Sequence, residues 1–310
     1  MKKKKRWPRD EVLYNRIQEN EFLNFFEFVK FLGFKVCKSK KMRDIITCLI
    51  IWHKFPNLST RRARSLLLLF KEIKLINVKI PCFKTLCSYR AEPFLHNVLD
   101  DLIEESSRPL IKIEKDFATD STGIRTKLFS TWYSLRCKKR IKRRDHLTIH
   151  ITTGVKSNIV TALNVEIKKG KDNIIFREHV DKTSKNFKIN EWSGDGMYWA
   201  KENCKRIAEK NGKPFFKCKK SWNGKQGGCP SWKKMNQQFI DDEAEYKKHY
   251  HKRSNVESAN QSKKMLHGDK VYSKLNSARI NEETLRWINY NINVLNRSKC
   301  EWNIIPKFMV

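Results

Sequence analysis

Acidic residues are scarce in this chain. Its 310 residues hold 33 Asp and Glu against 66 Lys and Arg, a formal net charge of +33. Such a surplus bears on partners rather than on fold. It points to a polyanion, because each phosphate neutralised releases counterions and adds affinity. An anionic membrane surface fits less well, since the charge is spread along the whole chain. Long apolar runs are missing too: the longest, "IITCLIIW" at 45–52, falls far short of the roughly 20 residues that span a bilayer. Nor is there any Cys-x-x-Cys pair. The nine cysteines are odd in number, which argues against a disulfide framework and a zinc ribbon. Cys218 and Cys229 bracket a Gly-rich loop, but free thiols in a reducing cytosol are the expectation. The opening "MKKKKR" is followed by "WPRDEVLYNR" instead of an apolar stretch, so no secretory leader is expected. What is abundant is core material: 39% of residues are hydrophobic, with 18 Phe and 9 Trp, enough to exclude a disordered basic tail.

Periodicity divides the chain near residue 108. Residues 1–108 read as helical. "DEVLYNRIQENEFLNFFEFVKFLGF" has helical apolar spacing with Gly33 as its stop, and "MRDIITCLIIWHKF" is a more buried helix. "LSTRRARSLLLLFKEI" starts at an N-cap, Ser59 or Thr60. Its first turn carries Arg61, Arg62 and Arg64 against the helix dipole, a conflict that a phosphate would relieve. "IPCFKTLCSYR" is a turn into a short helix bearing Lys84 and Arg90. Helix, turn and short basic helix fit either helix-turn-helix DNA binding or an ordinary bundle. Residues 109–310 read differently. "EKDFATDSTG" is a short strand ending in turn residues, and "HLTIHITTG" alternates as a half-buried strand. "IVTALNVEI" returns from it. "FKINEWSGDGMYWAKENCKRIAEKNG" is a strand, an Asp-Gly turn and a helix stopped by Gly212. "KPFFKCK" is a further short strand. Two helices close the chain, the second with Leu285, Ile288, Ile292 and Leu295 as an apolar stripe. A meander followed by alternation with helices predicts an α/β fold with a mixed sheet flanked by helices.

Three carboxylates stand out. Asp120 is expected at the end of the first strand, Asp195 at the end of a later one, and Glu257 in "YHKRSNVESANQSKK". On a helix, Tyr250, Arg253, Glu257 and Lys264 fall within roughly 60° of one another, with Val256, Ala259 and Leu266 on the far side. Each acid alone has an ordinary explanation as a turn residue or a solvated i, i+4 partner. Together they make a cage for two divalent metals. Phosphoryl transfer uses such a pair, and hard Mg2+ prefers oxygen donors.

The run Tyr250, two residues, Arg253, three residues, Glu257, six residues, Lys264 resembles the signature of DDE-class insertion-sequence transposases of the insertion-sequence-four and insertion-sequence-five superfamily. "TDST" around Asp120 and "GDGMYWA" around Asp195 resemble the family's first and second aspartate motifs, and "NEETLRWINYNINVL" its closing helix. The resemblance covers roughly residues 55–297. It implies a ribonuclease-H-like catalytic domain over 109–310, preceded by a helical DNA-binding region over 1–108. It also implies two Mg2+ or Mn2+ ions on Asp120, Asp195 and Glu257. Arg253 and Lys264 would lie against phosphates, and Tyr250 near the cleaved end. Double-stranded DNA, at element ends and target, is the implied partner, with a homodimer on DNA, no membrane and no small-molecule substrate. The implied location is the nucleoid of a prokaryotic cytoplasm. Only 61 residues separate Asp195 from Glu257, too few for the long β-rich insertion of some relatives. Trp222 and Trp232 are candidates for base stacking, or for anchoring loop and core. Two other readings fit: a catalytically silent or host-adopted DNA-binding protein of the same descent, and another ribonuclease-H-like metal nuclease.

Overall fold

The computed structural model describes residues 8–126, 146–167, 172–218, 228–302 and 304. Its centre is a five-stranded mixed sheet: β1 (Asp116–Arg125), β2 (His146–Gly154), β3 (Val160–Glu166), β4 (Glu191–Gly194) and β5 (Lys213–Phe216), in the order β3-β2-β1-β4-β5. The β1–β2 and β2–β3 pairs are antiparallel, while β1–β4 and β4–β5 are parallel. Parallel neighbours need crossovers, and helices supply them. The first is α6 (Asp172–Asn186), between β3 and β4; α7 (Lys201–Glu209) joins β4 to β5.

Side chains alternate across β1, so it feeds two cores. Phe117 joins Phe176, Trp192, Tyr198 and Phe216 on the face covered by α6 and α7, whereas Ala118 and Ile124 join the core on the other face. β2 is not half-buried as its pattern predicts. Its polar residues Thr148, His150 and Thr152 are buried as well, because α6 covers that face. There Thr152 shares hydrogen bonds with Thr119 at 2.7 Å and His179 at 3.0 Å, which satisfies hydroxyls placed in an interior.

The second core is larger. It is made by β1–β3 together with helices from both ends of the chain. These are α1 (Pro8–Val36), α2 (Lys40–Lys54), α3 (Thr60–Glu72), α4 (Phe83–Ala91), α5 (Leu95–Ser107), α10 (Ser254–His267) and α11 (Asn276–Trp302). In α1, Phe25, Phe28, Val29 and Leu32 recur at helical spacing and are all buried. The helix runs on through Gly33 to Val36. At Gly33 a Cβ would stand 3.4 Å from Thr47 Oγ1 on α2, so this glycine marks a close helix approach and not a stop. The stripe Leu285, Ile288, Ile292 and Leu295 of α11 is wholly buried, against α5, α1, α2 and β3. α8 (Pro230–Asp241) and α9 (Glu243–Tyr250), both unexpected from the sequence, pack near β5. No described helix is long and apolar enough to cross a membrane.

Ser59 caps α3 by accepting from Arg62 N–H, as its position predicts. Ten residues, 73–82, separate α3 from α4. A helix-turn-helix uses a turn of about three or four residues, so α3 and α4 do not form one.

Candidate active site

Register brings the two aspartates together. Thr119 and Gly194 form the last parallel pair between β1 and β4, and the next residue along each chain is Asp120 and Asp195. Neighbouring strands lie about 4.8 Å apart. β4 ends there because Asp195 turns to cap the short helical turn Gly196–Tyr198, its carboxylate accepting from Gly196 N–H at 2.7 Å. Gly194 is required by packing: a Cβ would lie 2.9 Å from Phe216 and 3.1 Å from Tyr198. Asp120 does not end its strand. It pairs with Ile151 in the middle of β1, which continues through Ser121, Thr122 and Gly123 to Arg125 against β2. The turn-forming character of "STG" yields to pairing with a complete neighbour strand.

Alternation along β1 puts Asp120 and Thr122 on the face that α10 covers. The helix is seated by Val256 and Ala259, both buried in the larger core, while Leu266 is 45% exposed instead of facing it. Glu257 therefore stands at the exposed edge of α10, with its side chain 53% accessible. The stretch is not one continuous helix. α9 ends at Tyr250, a 3-10 turn spans His251–Arg253, and α10 begins at Ser254. The break still leaves the signature residues together. Arg253 lies 3.7 Å from Asp120 and also forms an ion pair with Glu257. Lys264 donates to Thr122 Oγ1 at 2.8 Å. Lys252, which the sequence reading passed over, bonds to Asp116 and Glu191 at 2.7 Å each and ties the turn to the starts of β1 and β4.

The acids share one electrostatic neighbourhood. Burial raises the Asp120 carboxyl above the usual range. The Ser121 N–H and Arg253 lower it in part, while the negative charges of Asp195 and Glu257 raise it further. Burial likewise raises the Tyr250 phenol; Arg253 opposes that rise, and Asp195 and Glu257 add to it. Among the described residues, no three His, Cys, Asp or Glu groups lie close enough to hold a metal ion as they stand. A guanidinium, that of Arg253, takes the place between Asp120 and Glu257. Mutually repelling oxygen donors held around a cation are chemically suited to a hard divalent ion such as Mg2+.

The other candidate residues are dispersed. Arg61 lies over the Phe83 ring at 4.6 Å and Arg64 donates to Pro81 O at 3.2 Å, so both help to hold the segment before α4. Arg62 and Lys84 are exposed. Arg90 stacks on Trp52, 4.3 Å from the ring centroid. Trp232 is 2% exposed and packs against Trp199 at 5.3 Å, a core position with no face open to a base. Trp222 lies outside the described residues. Sequence reasoning missed Thr122. Thr122 was legible in principle, two residues beyond Asp120 and hence on the same strand face. Tyr198, which belongs to the "GDGMYWA" motif, is buried beside the aspartates. No protein-family model matches this chain, and none of the curated proteins searched matches it.

Proposed function

We propose that this protein is a DDE-class transposase. In this reading it binds the terminal inverted repeats of its own element, cuts there, and joins the freed 3′ end to target DNA. The observation that carries the reading is the convergence of Asp120, Asp195 and Glu257 around Arg253, from a strand, a strand end and a helix. The strand order β3-β2-β1-β4-β5, antiparallel on one side and parallel on the other, supports a ribonuclease-H-like core. The net charge of +33 supports DNA as partner.

Asp120, Asp195 and Glu257 would hold two Mg2+ or Mn2+ ions, which supply activation of the attacking oxygen and stabilisation of the leaving one. The rest is binding and orientation by the chain itself. Arg253 offers a planar guanidinium for bidentate contact with a backbone phosphate. Lys264, oriented by Thr122, offers a compact charge beside it. Tyr250 presents a phenol that burial and nearby carboxylates keep protonated, so it donates to a strand oxygen. Exposed Arg62 and Lys84 add charge for flanking duplex, and a homodimer would hold both element ends.

The test is a labelled duplex carrying the DNA that flanks the gene, incubated with Mg2+ or with chelator. Metal-dependent nicking at a defined end is expected from the wild type. Glu257→Gln should abolish it while keeping DNA affinity. A mutant that cuts as well as wild type would remove Glu257 from the site. The position of Arg253 between the acids favours one second reading, a DNA-binding protein of the same descent that does not cut. Tight end-specific binding with no nicking in Mg2+ or Mn2+ would establish that reading instead.

A further inference from the structure

A separate cavity of about 280 Å3 opens between the α2–α3 loop and the start of α11. Its floor is charged and buried: Glu282 is 2% and Arg286 4% exposed, beside Trp52 and His53. Its mouth is formed by Pro56, Asn57 and Tyr272, and a hydrogen bond between Tyr272 OH and Asn57 Oδ1 links the two rims. Arg90 of α4 forms one wall.

Arg90 feels the charge of Glu282 but has no hydrogen bond to it among the described residues. The Glu282 carboxylate already accepts from Tyr272 N at 2.9 Å, Ser273 N at 2.8 Å, Ser273 Oγ at 2.6 Å and Arg286 at 2.7 Å. Two carboxylate oxygens offer about four lone-pair sites, so none is left for a further donor. His53 carries no charge here. Its Nδ1 bonds to Leu49 O, and burial, then Arg90, push its pKa down to about 3, so it is neutral. Arg90 Nε is buried with no hydrogen-bond partner among the described residues. Its guanidinium plane is fixed on the Trp52 ring, 4.3 Å from the centroid. A buried donor of a fixed, charged group is expected to have an acceptor, and an oxyanion matches a guanidinium edge.

We propose that this cavity binds the phosphate of a mononucleotide, with Arg90 as its principal ligand. The apolar surfaces of Phe55, Pro56 and Tyr272 suit a base and sugar. The volume, just below the roughly 300 Å3 where small organic ligand sites begin, admits one nucleotide and not two. The site shares no residue with the carboxylate cluster and does not depend on its chemistry. The nucleotide is either free in solution or the phosphorylated end of a DNA strand; the phosphate chemistry is the same.

The experiment is equilibrium dialysis of the full chain against labelled thymidine 5′-monophosphate. Chelator is present throughout, so metal contributes nothing, and about 0.3 M KCl screens surface charge. One molecule per chain is expected. Thymidine lacking the phosphate should not bind. Arg90→Gln should weaken binding by about tenfold or more, the worth of one charge-assisted hydrogen bond. Lys205→Gln, at an exposed cation remote from the cavity, should leave it unchanged. If circular dichroism shows that Arg90→Gln unfolds the chain, Asn57→Asp decides, since a carboxylate at the mouth repels the phosphate without touching the core. Undiminished binding in both variants, several equivalent molecules per chain, or no binding would overturn the proposal. Oligonucleotides with a 5′-phosphate or a 5′-hydroxyl separate the sources. Phosphate-dependent, Arg90-dependent capture of the oligonucleotide assigns the site to a DNA end. Indifference to that phosphate, with the mononucleotide still bound, assigns it to the free nucleotide.

Discussion

A carboxylate set between two paired strands stays charged only against the cost of its lost hydration, and Asp120 is in that position. The Ser121 N–H and Arg253 recover part of the loss, but burial and the two neighbouring acids outweigh them, so its pKa in the folded chain lies above the unfolded value. Folding therefore favours the protonated form. At neutral pH the ionised group subtracts stability, which returns as pH falls through the raised pKa. Asp120→Asn should accordingly melt higher than wild type at pH 7 without metal, with the gap closing on acidification. Mg2+ should raise the melting temperature of wild type and not of the mutant. A mutant that melts lower at pH 7 would show that the Arg253 contact outweighs burial. Thr122 acts through Lys264, whose ammonium it holds at 2.8 Å. Thr122→Val keeps the shape and removes the acceptor. Affinity for element ends, read by gel shift, should fall by about two- to tenfold, matching the net worth of one hydrogen bond, with the fold unchanged.

α10 is held to α11 by a buried ionic network that no solvated face would need. Lys263 pairs with Glu283, both side chains fully buried, and Arg286 bridges Glu283 at 3.7 Å and Glu282 at 2.7 Å. Burial pushes the Lys263 ammonium down to about 8, against the pull of Glu283. The same environment excludes further positive charge. Burial, then Lys263, hold His267 at about 3, and His53 on α2 is held at about 3 by burial and Arg90. Both folded-state values lie below the unfolded value near 6.5, so the unfolded chain binds more protons between them. Stability is therefore intact above about pH 6.5 and is lost as pH falls toward 3, by at most about 1.4 kcal/mol per unit for each histidine. Urea unfolding at pH 7, 6 and 5 should show this decline, and His267→Gln should reduce its slope by about one proton. An unchanged slope would place the acid sensitivity elsewhere.

Across the whole molecule, one core joins α1–α5 to β1–β3, α10 and α11. Asn289 on α11 donates to Ile50 O at 3.0 Å, and Asn291 donates to Ser106 Oγ at 2.8 Å, so the C-terminal helix is bonded to the N-terminal ones in the interior. A fragment of residues 109–310 would expose the α11 stripe and one face of the sheet. It is expected to lose near-ultraviolet circular dichroism and bind a hydrophobic dye, and to regain structure with residues 1–108 supplied in trans. A fragment that melts cooperatively alone would show that the sheet and α6–α11 suffice.

Much of this was legible along the chain. The helical stripes of α1 and α11, the Ser59 cap and all five strands follow from local rules, because burial of a periodic face and satisfaction of a helix end act over a few residues. Two kinds of feature escaped those rules. α6 was missed because its buried face includes His179 and Thr183 beside Phe176 and Val180, which blurs its apolar period. The His179 Nδ1 and the Thr183 hydroxyl find partners in Thr152 and Thr161 of β2 and β3, residues that only folding brings near. The break after Tyr250 and the continuation of β1 past Asp120 were likewise set by neighbours. By itself the sequence determined the basic charge, the mixed α/β order, and the spacing of Tyr250, Arg253, Glu257 and Lys264. Tertiary structure alone decided that Asp120 sits beside Asp195 and that Arg253 stands between Asp120 and Glu257. Strand register and helix seating depend on packing between residues far apart in the chain, and no local spacing encodes the distance between them.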